Sequence, residues 1–155
     1  MKGFAVQVDT SLTPEQAFEA VTDWPAHSRH VPGTRVEVTR ATGGVGEEFV
    51  GTTRIGPVVV EDSMAVTGWE PVGPEGTGSC EITKTGNRVT GGVRVTVSAH
   101  LQGARVDWYE EIGLAPRVLD LLARPFIAVS GRFLFGRVVR GLLADAERRE
   151  GLRGD

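Results

Sequence analysis

The chain has 155 residues, 40% of them hydrophobic and 24% charged, with a formal net charge of −3. A chain of this length is most simply one domain, able to bury roughly 70% of its unfolded surface in a core. The acidic balance argues against a nucleic-acid partner, which a basic face would announce. No apolar run of about 18 residues is present to make a stable membrane insertion.

Met1-Lys2-Gly3-Phe4 runs directly into a strand pattern without the apolar core of a signal peptide, so a cytoplasmic protein is expected. Phe4, Val6 and Val8 alternate with Ala5, Gln7 and Asp9, which predicts a first strand of about seven residues. Thr13, Pro14 and Gln16 then make an N-cap, a first-turn proline and a capping box for a short helix carrying Ala17, Phe18 and Val21. A second short helix is compatible with Pro25 to His30, ended by Val31-Pro32-Gly33.

Strands follow in close succession. Val36 and Val38 mark residues 34–41, and Ala41 to Gly46 is a turn. Glu47 to Ile55 alternates, Gly56-Pro57 turns the chain, and Val58 to Glu70 is a long strand. Ser79 to Lys84 follows, with Val89 as a candidate continuation beyond Gly86-Asn87. Cys80, the lone cysteine, shares a side with Ile82 and Lys84 and reads as a small buried apolar residue; no intrachain disulfide is possible. Val93 to Leu101 puts Val93, Val95, Val97, Ala99 and Leu101 on one face, Gln102-Gly103 fits a hairpin turn, and Arg105 to Ile112 closes the series. One buried face and one wet face on each strand is the pattern of an antiparallel sheet.

The last stretch is helical. From Pro125 to Arg149, Ile127, Ala128, Leu134, Phe135, Val138, Val139, Leu142, Leu143 and Ala146 fall on one broad face. Such a helix must bury that face, and the sheet is the partner large enough to take it. Val118, Leu119, Leu121 and Leu122 are compatible with an earlier start at Pro116, which Pro125 would then kink or restart. Phe126, Val129 and Phe133 lie on the other side of the first turns. There they could pack under the linker, line a cavity mouth or form a homodimer contact, and packing is the expectation.

This order of elements resembles the helix-grip fold of the SRPBCC superfamily, which takes in START lipid-transfer domains, plant pathogenesis-related allergens and bacterial polyketide cyclases/dehydrases. The resemblance is carried by Thr13-Pro14-Glu15-Gln16-Ala17-Phe18 and Val21-Thr22-Asp23-Trp24 after the first strand, Val45-Gly46, Trp69-Glu70-Pro71 and Val106-Asp107-Trp108. Each motif is short, and their order across nearly the whole chain makes the likeness. It implies an α+β protein in which a seven-stranded curved antiparallel sheet wraps a long C-terminal helix, with two short helices between strands 1 and 2. Residues 1–150 then form a single helix-grip domain and 151–155 a short tail. It also implies a ligand cavity between sheet and helix, and no shared catalytic motif.

The sequence holds no phosphate-binding loop, dinucleotide fingerprint or zinc-protease motif, so neither cofactor nor metal is expected. His27 and His30 read as surface residues of a short helix. Polar residues at inward positions are the stronger signal. Asp62 shares the parity of Val58, Val60, Met64 and Val66, and Glu110 that of Val106, Trp108 and Ile112. A carboxylate on an apolar sheet face must be paired, protonated or wetted by a cavity. Asp62 and Glu110 are therefore either general acid and base candidates or partners of Lys84 or an arginine. Met64, Lys84, Val95, Val97, Trp108, Phe135 and Val139 are the expected ligand-binding residues. The leading expectation is a binder of a lipid- or polyketide-like hydrophobic molecule; a cofactor-free cyclase or dehydratase is the alternative.

Overall fold

A computed structural model describes residues 2–154. In chain order it contains β1 (Lys2–Thr10), α1 (Pro14–Val21), a 3-10 turn (Pro25–Arg29), β2 (Thr34–Arg40), β3 (Glu48–Ile55), β4 (Val58–Glu70), β5 (Thr77–Lys84), β6 (Val89–His100), β7 (Gly103–Leu114) and α2 (Arg117–Arg153). The strands form one curved antiparallel sheet of order β1-β7-β6-β5-β4-β3-β2. From β2 to β7 each strand pairs with the next in sequence, and β1 then pairs with β7.

Local chemistry accounts for the elements. Thr13 Oγ1 accepts from the Gln16 N–H and Gln16 Oε1 from the Thr13 N–H, so the capping box starts α1 as its sequence predicts. α1 buries Ala17, Phe18, Ala20 and Val21. β5 to β7 alternate cleanly: Cys80, Ile82 and Lys84 face inward, as do Val93, Val95 and Val97, and Val106, Trp108 and Glu110. The register of β4 against β5 shifts between Val66 and Gly68, a bulge that lets Val66 and Trp69 both turn inward. Trp69 meets Phe18 edge to face, with ring centroids 5.0 Å apart.

Three boundaries differ from the sequence reading. Val89 opens β6, because Thr85 to Arg88 turn the chain back and β5 and β6 pair antiparallel. The β6–β7 turn is Leu101-Gln102, with His100 opposite Gly103; Leu101 adopts φ 51° and, like Ala99, is exposed beyond the edge of the core. The final helix is 37 residues long, starts at Arg117 and carries Pro125 inside it.

That helix has two unlike halves. From Gly136 to Ala146 it buries Val138, Val139, Leu142 and Leu143, and here it seals the core. Before that, Ile127 and Phe135 rest on the core cluster, while Phe126, Val129 and Phe133 are 71%, 73% and 69% exposed. The expected packing of these three is therefore wrong. The first half carries apolar residues on two sides, and the protein covers one of them. Two glycines set the approach: a Cβ on Gly131 would stand 2.5 Å from the Phe4 ring, and one on Gly141 2.4 Å from the His30 ring. They let the rod lie close against β1 and the 3-10 turn.

Candidate functional site

The inward positions of β4, β5 and β7 converge on three charged side chains. Register places Met64 beside Lys84 and Val93 beside Glu110. Asp62 lies two residues before Met64, on the same face. The Lys84 ammonium reaches diagonally to Asp62 Oδ2 at 2.5 Å and across β6 to Glu110 Oε1 at 3.2 Å. Between them on β6, Gly91 adopts φ +120°, and a Cβ there would fall 2.0 Å from the Glu111 carbonyl oxygen of β7. The Lys84 and Glu110 side chains are only 2% and 3% exposed. Glu110 Oε2 accepts from the Trp108 indole N–H at 3.1 Å.

Burial sets the electrostatics of this triad. It pulls the Lys84 ammonium down, but the Glu110 and Asp62 carboxylates outweigh it and hold Lys84 above the ordinary lysine range. Complete burial pushes the Glu110 carboxyl up, against the pull of Lys84 and the Trp108 N–H. The cluster can thus keep a proton next to an apolar space.

That space is a cavity of about 630 Å³ between the sheet, the loop after the 3-10 turn and α2. A row of rings borders it. Phe49 stacks on Trp24 at 4.5 Å, His27 stands 5.8 Å from Trp24 and 5.7 Å from Trp108, and Trp108 stacks on Phe135 at 5.6 Å. Val31, Pro32 and Gly33, with Arg54 and Ile55 of the β3–β4 hairpin and Leu134 of α2, form the rest of one side. Pro32, Gly33, Arg54 and Ile55 are exposed, so the mouth opens there. Gly33 is required at this rim: its φ is +66°, and a Cβ would fall 2.8 Å from the Arg54 carbonyl oxygen.

Of the sequence-predicted site residues, Asp62, Glu110, Met64, Lys84, Trp108 and Phe135 all line this cavity. Val95, Val97 and Val139 do not. They are fully buried in the main core, where α1 and the second half of α2 cover the sheet. The two carboxylates are paired through Lys84, one of the arrangements their inward parity allows. Cys80 is buried, and burial pushes its thiol up to about 12, which leaves it unreactive.

His27 is a correction. It is 6% exposed and lines the cavity instead of the surface. Its Nε2 lies 3.1 Å from the Val21 carbonyl, which can only accept, so Nε2 carries the proton. Burial lowers its pKa to about 4, and the ring is neutral at physiological pH. Hydrophobic period has little power over a 3-10 turn of five residues, and no sequence signal placed this side chain inward. His30 is half-buried and bonds Asp145 of α2 at 2.8 Å.

No protein-family model and no curated protein matches the sequence. Solved structures match its fold over nearly the whole chain. The protein TTHA0849 from Thermus thermophilus superposes with a TM-score of 0.76 at 11% identity, covering 95% of this chain and 98% of its own. A STAR-related lipid transfer protein from Xanthomonas axonopodis gives 0.65 at 13% identity, covering 91% and 83%. The ZhuI aromatase/cyclase from Streptomyces sp. R1128 gives 0.64 at 13% identity, covering 96% and 94%. The chain has the helix-grip fold.

Proposed function

We propose that this protein binds a hydrophobic small molecule, lipid- or polyketide-like, in the cavity between its sheet and α2. The observation that carries the reading is the cavity itself: about 630 Å³, walled mostly by aromatic and aliphatic side chains, and open to solvent at one rim. That volume lies within the range of small-molecule sites, roughly 300–1,000 Å³. Lipid-transfer and aromatase/cyclase proteins of the same fold support the class of ligand. Native mass spectrometry of the purified protein should show a co-purified small molecule, or uptake of an added one. A ligand at a hundred times its Kd should stabilise the fold by about 2.7 kcal/mol. That corresponds to a rise in Tm of roughly 5–10 °C for a chain of this size. A melting temperature that no apolar ligand moves would sink the reading.

The triad favours a second reading. As a cofactor-free cyclase or dehydratase, the protein would use Asp62 and Glu110 to move a proton beside a carbonyl of a polyketide-like chain, with Lys84 holding both carboxylates in place. Asp62→Asn and Glu110→Gln should then abolish turnover of a poly-β-ketone substrate while the protein stays folded. Turnover that survives both changes removes them as catalysts.

A further inference from the structure

The first half of α2 has a second apolar side that the fold leaves open. Val118, Leu122, Phe126, Val129 and Phe133 follow one another at steps of four, four, three and four residues. At about 100° per residue that spacing keeps all five within roughly 80° of one another. All five are exposed. The stripe runs for roughly 22 Å along the helix, at about 1.5 Å per residue. It faces away from the cavity, which α2 lines with Leu134 and Phe135. A continuous apolar patch of this kind marks an interaction surface.

The charges around the stripe decide what it meets. From Arg117 to Arg140 the charged residues are five arginines and one acid, on a chain of net charge −3. The acid is Asp120, which is buried and accepts from the Leu114 N–H and from Arg124. Arg132 and Arg137 flank the stripe on its two sides near Phe133, and Arg140 continues it two turns further on. All three are exposed, and among the described residues none of them forms an ion pair. A second copy docked through the same stripe across a two-fold axis would bring these cations together, with no exposed acid on this half of the helix to meet them. An anionic lipid surface suits both features, because its phosphates attract the arginines and its acyl boundary takes the phenylalanines. We propose that the first half of α2 lies flat on anionic membranes, with Phe126, Val129 and Phe133 at the boundary of headgroups and acyl chains and Arg132, Arg137 and Arg140 on lipid phosphates. The helix rests on the bilayer without crossing it, and among the described residues no helix is long and apolar enough to span one. This contact lies outside the cavity and does not depend on what the cavity binds.

The test is co-sedimentation of the whole chain with vesicles of phosphatidylcholine alone and of phosphatidylcholine mixed with phosphatidylglycerol. The partition coefficient should be at least tenfold higher on the mixed vesicles. Most of that gain should vanish at about 1 M salt, which screens charges beyond roughly 3 Å. Each arginine near an anionic surface adds roughly fivefold in affinity, so Arg132→Gln combined with Arg137→Gln should lower the partition at least tenfold. Phe126→Ser combined with Phe133→Ser should lower it by as much. Both paired variants should melt like the wild type, because these side chains are exposed. No binding to either vesicle, or equal binding to both, overturns the inference. So does binding that either folded variant retains in full. A dimer in sedimentation velocity that the phenylalanine pair abolishes would assign the stripe to a second copy, and it too overturns the inference. If the phenylalanine pair does not fold, the arginine pair and the lipid preference of the wild type decide.

Discussion

Lys84 holds two carboxylates that could not otherwise remain where they are. Its side chain and that of Glu110 are almost fully buried, and an ion pair broken on one side typically costs about 3–5 kcal/mol because a charge is left uncompensated. Lys84→Met should therefore lower the unfolding free energy by about that amount, measured by chemical denaturation. Adding Glu110→Gln to Lys84→Met should recover part of the loss, since it removes the stranded charge. If the two losses simply add, the residues are not coupled and the ion pair is not formed. His27 makes the second prediction at this scale. Its folded pKa of about 4 lies below the unfolded value near 6.5. Its contribution is fully present above pH 6.5 and is lost as pH falls through 4, roughly 3 kcal/mol in all. His27→Gln should lose less stability than the wild type between pH 7 and pH 4. Equal acid losses would show that the ring takes up its proton freely in the folded chain. The contrast between these residues shows what was legible. Asp62, Lys84 and Glu110 sit on strands, where a period of two assigns every side chain to a face. His27 sits in a 3-10 turn, where it does not.

At the scale of elements, every strand and α1 could be read, because alternation and the capping box are local signals, although β6 starts at Val89 and not at Val93. The long helix could be read only in part. The face its first half buries, with Ile127, Leu134 and Phe135, follows the broad apolar stripe of the sequence, but Phe126, Val129 and Phe133 on the other side are just as apolar, and sequence pattern does not tell that they stay exposed. Val95, Val97 and Val139 failed as cavity residues for a related reason: inward parity says that a side chain faces the helix side of the sheet, not whether α1 or empty space lies opposite it. Gly33, between the 3-10 turn and β2, offers a test of how the mouth is built. Gly33 and Gly43 both have positive φ, but a Cβ on Gly33 meets the Arg54 carbonyl at 2.8 Å and one on Gly43 meets nothing within 4 Å. Both alanine variants should lose roughly 1 kcal/mol from backbone strain, and Gly33→Ala a further amount from the clash, up to about 3 kcal/mol in total. Equal losses in thermal melts would place the Arg54 carbonyl elsewhere.

For the whole molecule, the cavity exists because the layer of side chains on the sheet is interrupted. Where β3 crosses the cavity the inward position is Gly51, which pairs with Val36 of β2 on one side and Asp62 of β4 on the other. A Cβ there would find Met64, Thr34 and the Asp62 backbone at 3.8–4.0 Å, ordinary contact distances, with no positive φ to strain. A larger side chain at 51 would therefore project into the hollow and not into packed atoms. Glycine in a strand interior is itself destabilising by roughly 0.5–1 kcal/mol relative to alanine. Gly51→Phe should thus leave the melting temperature unchanged or raise it, while weakening binding of apolar probes such as 1-decanol and 2-naphthol at least tenfold. Stability and binding would then move in opposite directions, as expected of a site kept open at some cost to the fold. A Gly51→Phe protein that melts normally and binds those probes with wild-type affinity would show that the ligand lies somewhere other than between sheet and helix.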